Sequence, residues 1–207
     1  MHLWLRSESK LFEKRAPLTP KYAAELMGMH YSKLGLNISV IRPRTILGHG
    51  RLGIFSILFD WVKRGINLPV LGYGENRYQF IHVKDLSNAC ILSSNKEGYN
   101  VYNIGASKFG TMRELLRDLI IHSESKSEIV QVPLFFAEKI MELTSLLGLS
   151  PLGPYHSMMY GREMFFDISD SVENLNWKPT YSNKQMICES FDWYLDNFKD
   201  LNSKDHN

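Results

Sequence analysis

Apolar residues recur along this chain with two periods, and the alternation between them sets out the elements. Lys21 to Leu34 reads as a helix, followed by a strand over Asn37 to Arg42 (NISVIR). Ile54 to Arg64 is an apolar, aromatic helix. Leu68 to Leu71 is a short strand ending in the turn signal Gly72-Tyr73-Gly74. A second short strand spans Tyr78 to Val83, and a helix from Val83 to Ser93 follows, with Asp85 in its first turn to favour the positive helix end. Val101 to Ile104 is a strand. Thr111 with Glu114 three residues on forms a capping box for a helix to Ile121. Glu128 to Val132 and Phe166 to Ile168 read as further strands, and Ser182 opens a final helix to Phe198, after which the polar tail frays. The most apolar stretch, Val132 to Leu149, is broken by Glu138, Lys139 and Glu142. Its apolar residues (Phe135, Phe136, Ile140, Met141, Leu143, Leu147) keep helical spacing, so it reads as a buried amphipathic helix, not a membrane span.

Strands alternating with helices of this length predict an α/β protein with a partly parallel sheet. The 207 residues fit one domain or one and a half, and 44% apolar content supports a real core. A net charge of +2, with both signs mixed along the chain, argues against a nucleic-acid binder. Cys90 and Cys188 are far apart and lack metal-type spacing; they read as buried thiols of a cytoplasmic protein, with no metal site expected. Charged residues from Arg6 to Arg15 rule out a signal peptide over Met1 to Pro20.

Gly48-His49-Gly50-Arg51-Leu52-Gly53 is a literal G-x-G-x-x-G after a strand and before a helix, with Glu75 about twenty residues further on. Pro43 inside the preceding strand, and Arg42 and Arg44 around it, argue against a dinucleotide fingerprint, because a central parallel strand is apolar and tolerates proline poorly. The remaining readings are a loop that lets the chain leave the sheet and a loop over a bound substrate.

Four segments in order carry a family likeness. They are Ile38 through Gly50 (ISVIRPRTILGHG), Pro69 to Gly74 with Phe80 to Leu86 (FIHVKDL), Tyr102-Asn103-Ile104-Gly105 with the helix at Thr111, and Leu175-Asn176-Trp177-Lys178-Pro179. The last matches a motif that has glycine at the position of Asn176. Together they resemble the C-terminal portion of extended short-chain dehydrogenases of the NAD-dependent epimerase/dehydratase type. The resemblance implies a partial Rossmann-type sheet remnant plus a C-terminal α/β substrate-binding domain. An irregular segment 1–20 would precede a cofactor-domain remnant at 21–50. A mainly substrate-side domain would follow at 51–199, and then a polar tail at 200–207. It further implies NAD or NADP as cofactor and a sugar or nucleotide-sugar substrate.

The resemblance also assigns residues. Lys21, with Glu25 four residues on, matches the catalytic and cofactor-binding lysine of a Y-x-x-x-K turn; the tyrosine position falls on Pro17, and the chain contains no Y-x-x-x-K. The ammonium would normally ready that phenol for proton transfer. Tyr22 points about 100° away around the helix and is no substitute. Pro43 matches a cofactor contact. Arg42, Thr45, Arg77, Tyr78 and His82 match the substrate side. Arg77 is displaced by one residue from the expected arginine position, now Tyr78, and so belongs on the opposite strand face. Arg42 reads as an anion contact or a buried ion-pair member, and His82 as a catalytic imidazole or a packed residue bonding a helix start. Trp177 reads as an aromatic anchor, and Met158, Met159 and Met164 with Tyr155 and Tyr160 as an apolar pocket or lid. The missing first half would leave chemistry incomplete and expose a sheet edge, where a second copy or a partner chain could pair.

Overall fold

The computed structural model describes residues 20–133 and 162–204. Its elements are α1 (Pro20–Lys33), β1 (Ile38–Pro43), β2 (Thr45–Leu47), α2 (Phe55–Lys63), β3 (Leu68–Leu71), β4 (Phe80–His82), α3 (Val83–Ser93), β5 (Tyr99–Ile104), α4 (Met112–His122), β6 (Ile129–Val132), α5 (Ser169–Leu175) and α6 (Asn183–Lys204). Beyond β6, the apolar helix expected up to Leu149 lies outside the described residues, as do Tyr155, Met158, Met159 and Tyr160.

Among the described residues the three strand pairs are all parallel. β1 runs beside β5 from Ile38↔Tyr99 to Pro43↔Ile104, and the Arg44 amide donates once more to the Ile104 carbonyl at 2.9 Å. The two strands then part, and β4 enters the fork. It pairs with β2 on one side (Thr45↔Phe80 to Leu47↔His82) and accepts from the Ala106 amide at Phe80 O on the other, at 2.8 Å. Pro43 does not interrupt the ladder as expected. Ile38 and Arg44 direct their amides towards β5, so by strand alternation the donor missing at Pro43 belongs to the opposite edge.

Helical periodicity builds the larger core. α2 buries Phe55, Leu58, Phe59 and Val62, and α4 buries Met112, Leu115, Leu116 and Leu119, both at i, i+3, i+4, i+7. Phe59 meets the rings of Phe191 and Tyr194 on α6 edge-on or tilted, at 5.5 and 5.7 Å. A second core gathers Ile81, Ala89, Tyr102, Ile104, Leu175 and Trp177. β4 feeds both, because Phe80 and Ile81 alternate across the strand. α4 opens with the expected capping box: the Glu114 amide donates to Thr111 Oγ1 at 3.2 Å and the Thr111 amide to Glu114 Oε2 at 2.8 Å.

Four expectations are corrected. Phe166 to Ile168 forms no strand; Met164 bridges Tyr78, while the Phe166 amide donates to the buried Gln79 side chain at 2.9 Å. α5 was not foreseen. α6 continues to Lys204, past the expected end at Phe198. Cys90 is exposed and Cys188 only half-buried. Burial pushes the Cys188 thiol up to about 11, so it stays protonated near neutral pH. Among the described residues no helix is long and apolar enough to cross a membrane.

Candidate active site

The fork brings the middle of the chain together. Thr45, at the start of β2, lies opposite Phe80, and its hydroxyl shares a 3.0 Å hydrogen bond with that of Tyr78. Tyr78 is half-buried and tilts against Phe80 at 5.1 Å. One residue earlier in the extended segment that leads into β4, the chain turns another way. There Arg77 donates to Glu163 at 3.1 Å and lies 4.1 Å over the Phe165 ring. Thr45 and Tyr78 therefore face one side of the fork, and the Arg77 guanidinium serves the other.

Gln79 lies beneath this pair with no exposed surface. Its amide donates to Ala106 O at 2.8 Å and accepts from the Phe166 amide. It packs so closely on Gly105 that a Cβ there would collide with it, which explains the glycine in Tyr102-Asn103-Ile104-Gly105. Asn183, at the start of α6, completes the fork: its side chain accepts from the Phe80 amide at 3.1 Å and donates to Tyr78 O at 2.5 Å. Sequence reasoning missed both residues. Only the partners of a buried amide distinguish it from a surface one.

His82 is 4% exposed and caps α3: its Nδ1 accepts from the Lys84 amide at 3.3 Å, and its ring stacks on Tyr181 at 3.7 Å. Burial is the main influence that lowers its pKa. Lys84 and His49 act in the same direction, while Glu189 and Asp85 oppose it. Asp85 does not cap its own helix. Its carboxylate accepts from the Thr180 amide and hydroxyl (2.9 and 2.8 Å) and the Tyr181 amide (3.1 Å), and its carbonyl accepts from Trp177 Nε1 at 3.1 Å. Asn176 closes α5 at φ 49°, the left-handed position where glycine is usual and asparagine is the best-tolerated substitute.

Lys21 and Pro43 are exposed. Arg42 is half-exposed, not buried. Its guanidinium pairs with Glu25 on α1, with Nε–Oε1 at 2.9 Å and side chains 45% and 22% exposed. The hydrogen bond to Glu25 raises the arginine's pKa. The K-x-x-x-E spacing thus positions a carboxylate for Arg42. The glycine loop turns back on itself through Gly48 and Arg51, with Gly50 at φ 71°. A Cβ at Gly48 would press on Val83 at 3.1 Å, and one at Gly50 would reach Trp193 at 3.9 Å. Protein side chains adjoin these two glycines where a pyrophosphate would lie in a dinucleotide fingerprint.

Elsewhere, a surface cleft of about 560 Å³ lies at the starts of α4 and α6. None of the residues matched above to a cofactor or substrate role lines it. Both helix starts are already satisfied, by the Thr111 box and by Ser182 with Gln185. Among the described residues no cluster of three His, Cys, Asp or Glu side chains could hold a metal.

Residues 16–105 match the profile of the NAD dependent epimerase/dehydratase family. A protein of Sinorhizobium fredii, y4nG, is 55% identical over 163 residues, which cover 79% of this chain and 41% of that protein. GDP-L-fucose synthase 1 of Arabidopsis thaliana is 28% identical over 129 residues, covering 62% and 33%. The chain thus spans less than half the length of either relative. In fold it is similar to the UDP-glucose 4-epimerase of Thermotoga maritima solved with UDP-glucose (TM-score 0.65, 21% identity, 86% of this chain and 52% of that one). It is similar also to the dTDP-glucose 4,6-dehydratase of Bacillus anthracis in complex with NAD (TM-score 0.63, 20% identity, 89% and 54%). The chain thus shares the α/β fold of these two proteins over about half of their length, and the family whose profile it matches is an NAD-dependent one.

Proposed function

We propose that this chain is the substrate-side part of an NAD(P)-dependent epimerase, dehydratase or reductase for a nucleotide-linked sugar, and that it does not turn over by itself. The observation that carries the reading is the Thr45–Tyr78 hydroxyl pair at the fork, within a fold shared with enzymes solved with UDP-glucose or NAD. Two adjacent hydroxyls, one on a half-buried aromatic ring, can bond a sugar or phosphate oxygen and stack a ring. The redox step lacks its proton carrier: Pro17 stands four residues before Lys21 where a tyrosine would serve, and no other Y-x-x-x-K exists in the chain. Residues 21–50 are then the edge of the cofactor domain and 51–199 mainly the substrate side.

Calorimetric titration with UDP-glucose tests the site. Saturable binding is expected, weakened about fivefold by Tyr78→Phe, which removes one hydroxyl worth about 1 kcal/mol. A parallel titration into NADH is expected to leave the cofactor's fluorescence unchanged. Micromolar NADH binding would show that a cofactor site resides in this chain; absence of any UDP-glucose binding by the folded chain would sink the substrate assignment.

A further inference from the structure

We propose that the cleft at the starts of α4 and α6 is a second ligand site, separate from the fork, for a small phosphate that carries a flat ring.

The walls of this cleft are tied to one another. Lys184 on α6 donates to Asp118 on α4 at 2.9 Å, and the Asn183 amide donates to the Lys108 carbonyl at 3.0 Å. The loop before α4 and the two helix starts are thereby held as one body. Gly110 lets that loop run close to the helix: a Cβ there would collide with the Glu114 carboxylate that closes the capping box. Leu115 and Asn183, 4% and 5% exposed, are the buried part of the lining. A volume of about 560 Å³ over such a base lies in the range of small-molecule sites.

The charges select an anion. Among the described residues, three lining side chains are cations and two are carboxylates. Both carboxylates are engaged, Glu114 with the Thr111 amide at 2.8 Å and Asp118 with Lys184. Lys108 and Arg117 are exposed, and neither side chain pairs with a described residue. The Thr111 hydroxyl accepts from the Glu114 amide and keeps its own proton to donate. An ammonium, a guanidinium and a hydroxyl therefore remain as donors around one opening, a set that suits the terminal oxygens of a phosphate. Side chains hold the anion here, because backbone amides at both helix starts already donate to Thr111 and Glu114 or to Ser182 and Gln185.

Phe109 supplies the requirement for a ring. It is the aromatic residue of the described lining, half-buried and tilted by 30° against Phe165 at 5.5 Å. That contact restrains its ring, so a second flat ring can pack on it with little further loss of freedom. The cleft and the fork share one wall: Asn183 also donates to the Tyr78 carbonyl and accepts from the Phe80 amide. Neither Thr45 nor Tyr78 lines the cleft.

Phenyl phosphate titrated into the isotope-labelled chain tests the site, read by the shifts of backbone amides in NMR spectra. Saturable shifts are expected from Phe109 to Asp118 and from Ser182 to Lys184. Inorganic phosphate, which lacks the ring, should bind about tenfold more weakly or worse. Lys108→Ala with Arg117→Ala should weaken phenyl phosphate by about tenfold or more. Both positions are exposed, so the Tm of this variant should match that of the native chain. Tyr78→Phe should leave phenyl phosphate binding as it is, which separates this site from the one assigned to UDP-glucose. The comparison of the two phosphates needs no variant to fold. Absence of saturable shifts, equal affinity for inorganic phosphate, shifts centred on Thr45 and Tyr78, or indifference to the double alanine variant overturns the proposal.

Discussion

At the scale of single residues, the same side-chain type does different work according to its neighbours. His82 and His49 are both imidazoles near the glycine turn. His49 is exposed and stacks on Trp193 at 6.4 Å, while His82 is buried and serves as a helix cap. Burial lowers the folded pKa of His82 below 6.5. The unfolded chain then takes up the proton first as pH falls. The stabilising contribution is complete above that value and is lost as pH drops through the lower folded value. His82→Asn keeps a capping side chain and removes the titration. Between about pH 7.5 and about pH 5 the fall in Tm should be smaller for this variant than for the native chain. Equal falls in differential scanning fluorimetry would show that His82 is not the titrating group. The alternation of a strand was enough to separate Arg77 from Tyr78 in the sequence. It could not tell that Arg77 ends on Glu163, 86 positions away.

At the scale of elements, α3 is held to the far end of the chain by one carboxylate. Asp85 accepts three hydrogen bonds from Thr180 and Tyr181 while Trp177 bonds its carbonyl, so the turn before α6 is built around the first turn of α3. The acidic residue and the tryptophan were each visible in the sequence, one as helix electrostatics and the other as an anchor. Their contact, across 92 positions, was not. Asp85→Ala leaves two backbone amides without their acceptor and should cost about 3 kcal/mol. Urea unfolding followed by tryptophan emission measures this; a loss below about 1 kcal/mol would mean that the turn holds itself. The exposed Arg42–Glu25 pair contributes far less, because solvent screens it.

At the scale of the molecule, β4 is three residues long and contributes to both cores. Neither cluster can come apart without disturbing it. Phe80→Ala and Ile81→Ala should each cost about 3 kcal/mol and shift one shared unfolding transition. Two separated transitions in calorimetry, each answering to one variant, would show that the cores fold apart.

Local chemistry fixed much of this in advance. The helix and strand periods, the Thr111 box, the Gly72–Gly74 turn and the likeness in four ordered segments depend on residues close in sequence, so they could be read there. Even the substitution of Asn176 for glycine is local, a demand of one left-handed φ. The tertiary structure decided the rest, because it depends on which distant groups meet. It carried the strand through Pro43 by placing the missing donor on the edge that no described strand pairs with. It wedged β4 into the fork, sank Gln79 against Gly105, and turned the Lys21–Glu25 helix into support for Arg42. It also left Tyr22, Leu26 and Met29 of α1 more than a third exposed. A sequence records that Tyr22, Leu26 and Met29 share a face; only packing shows that nothing among the described residues covers it.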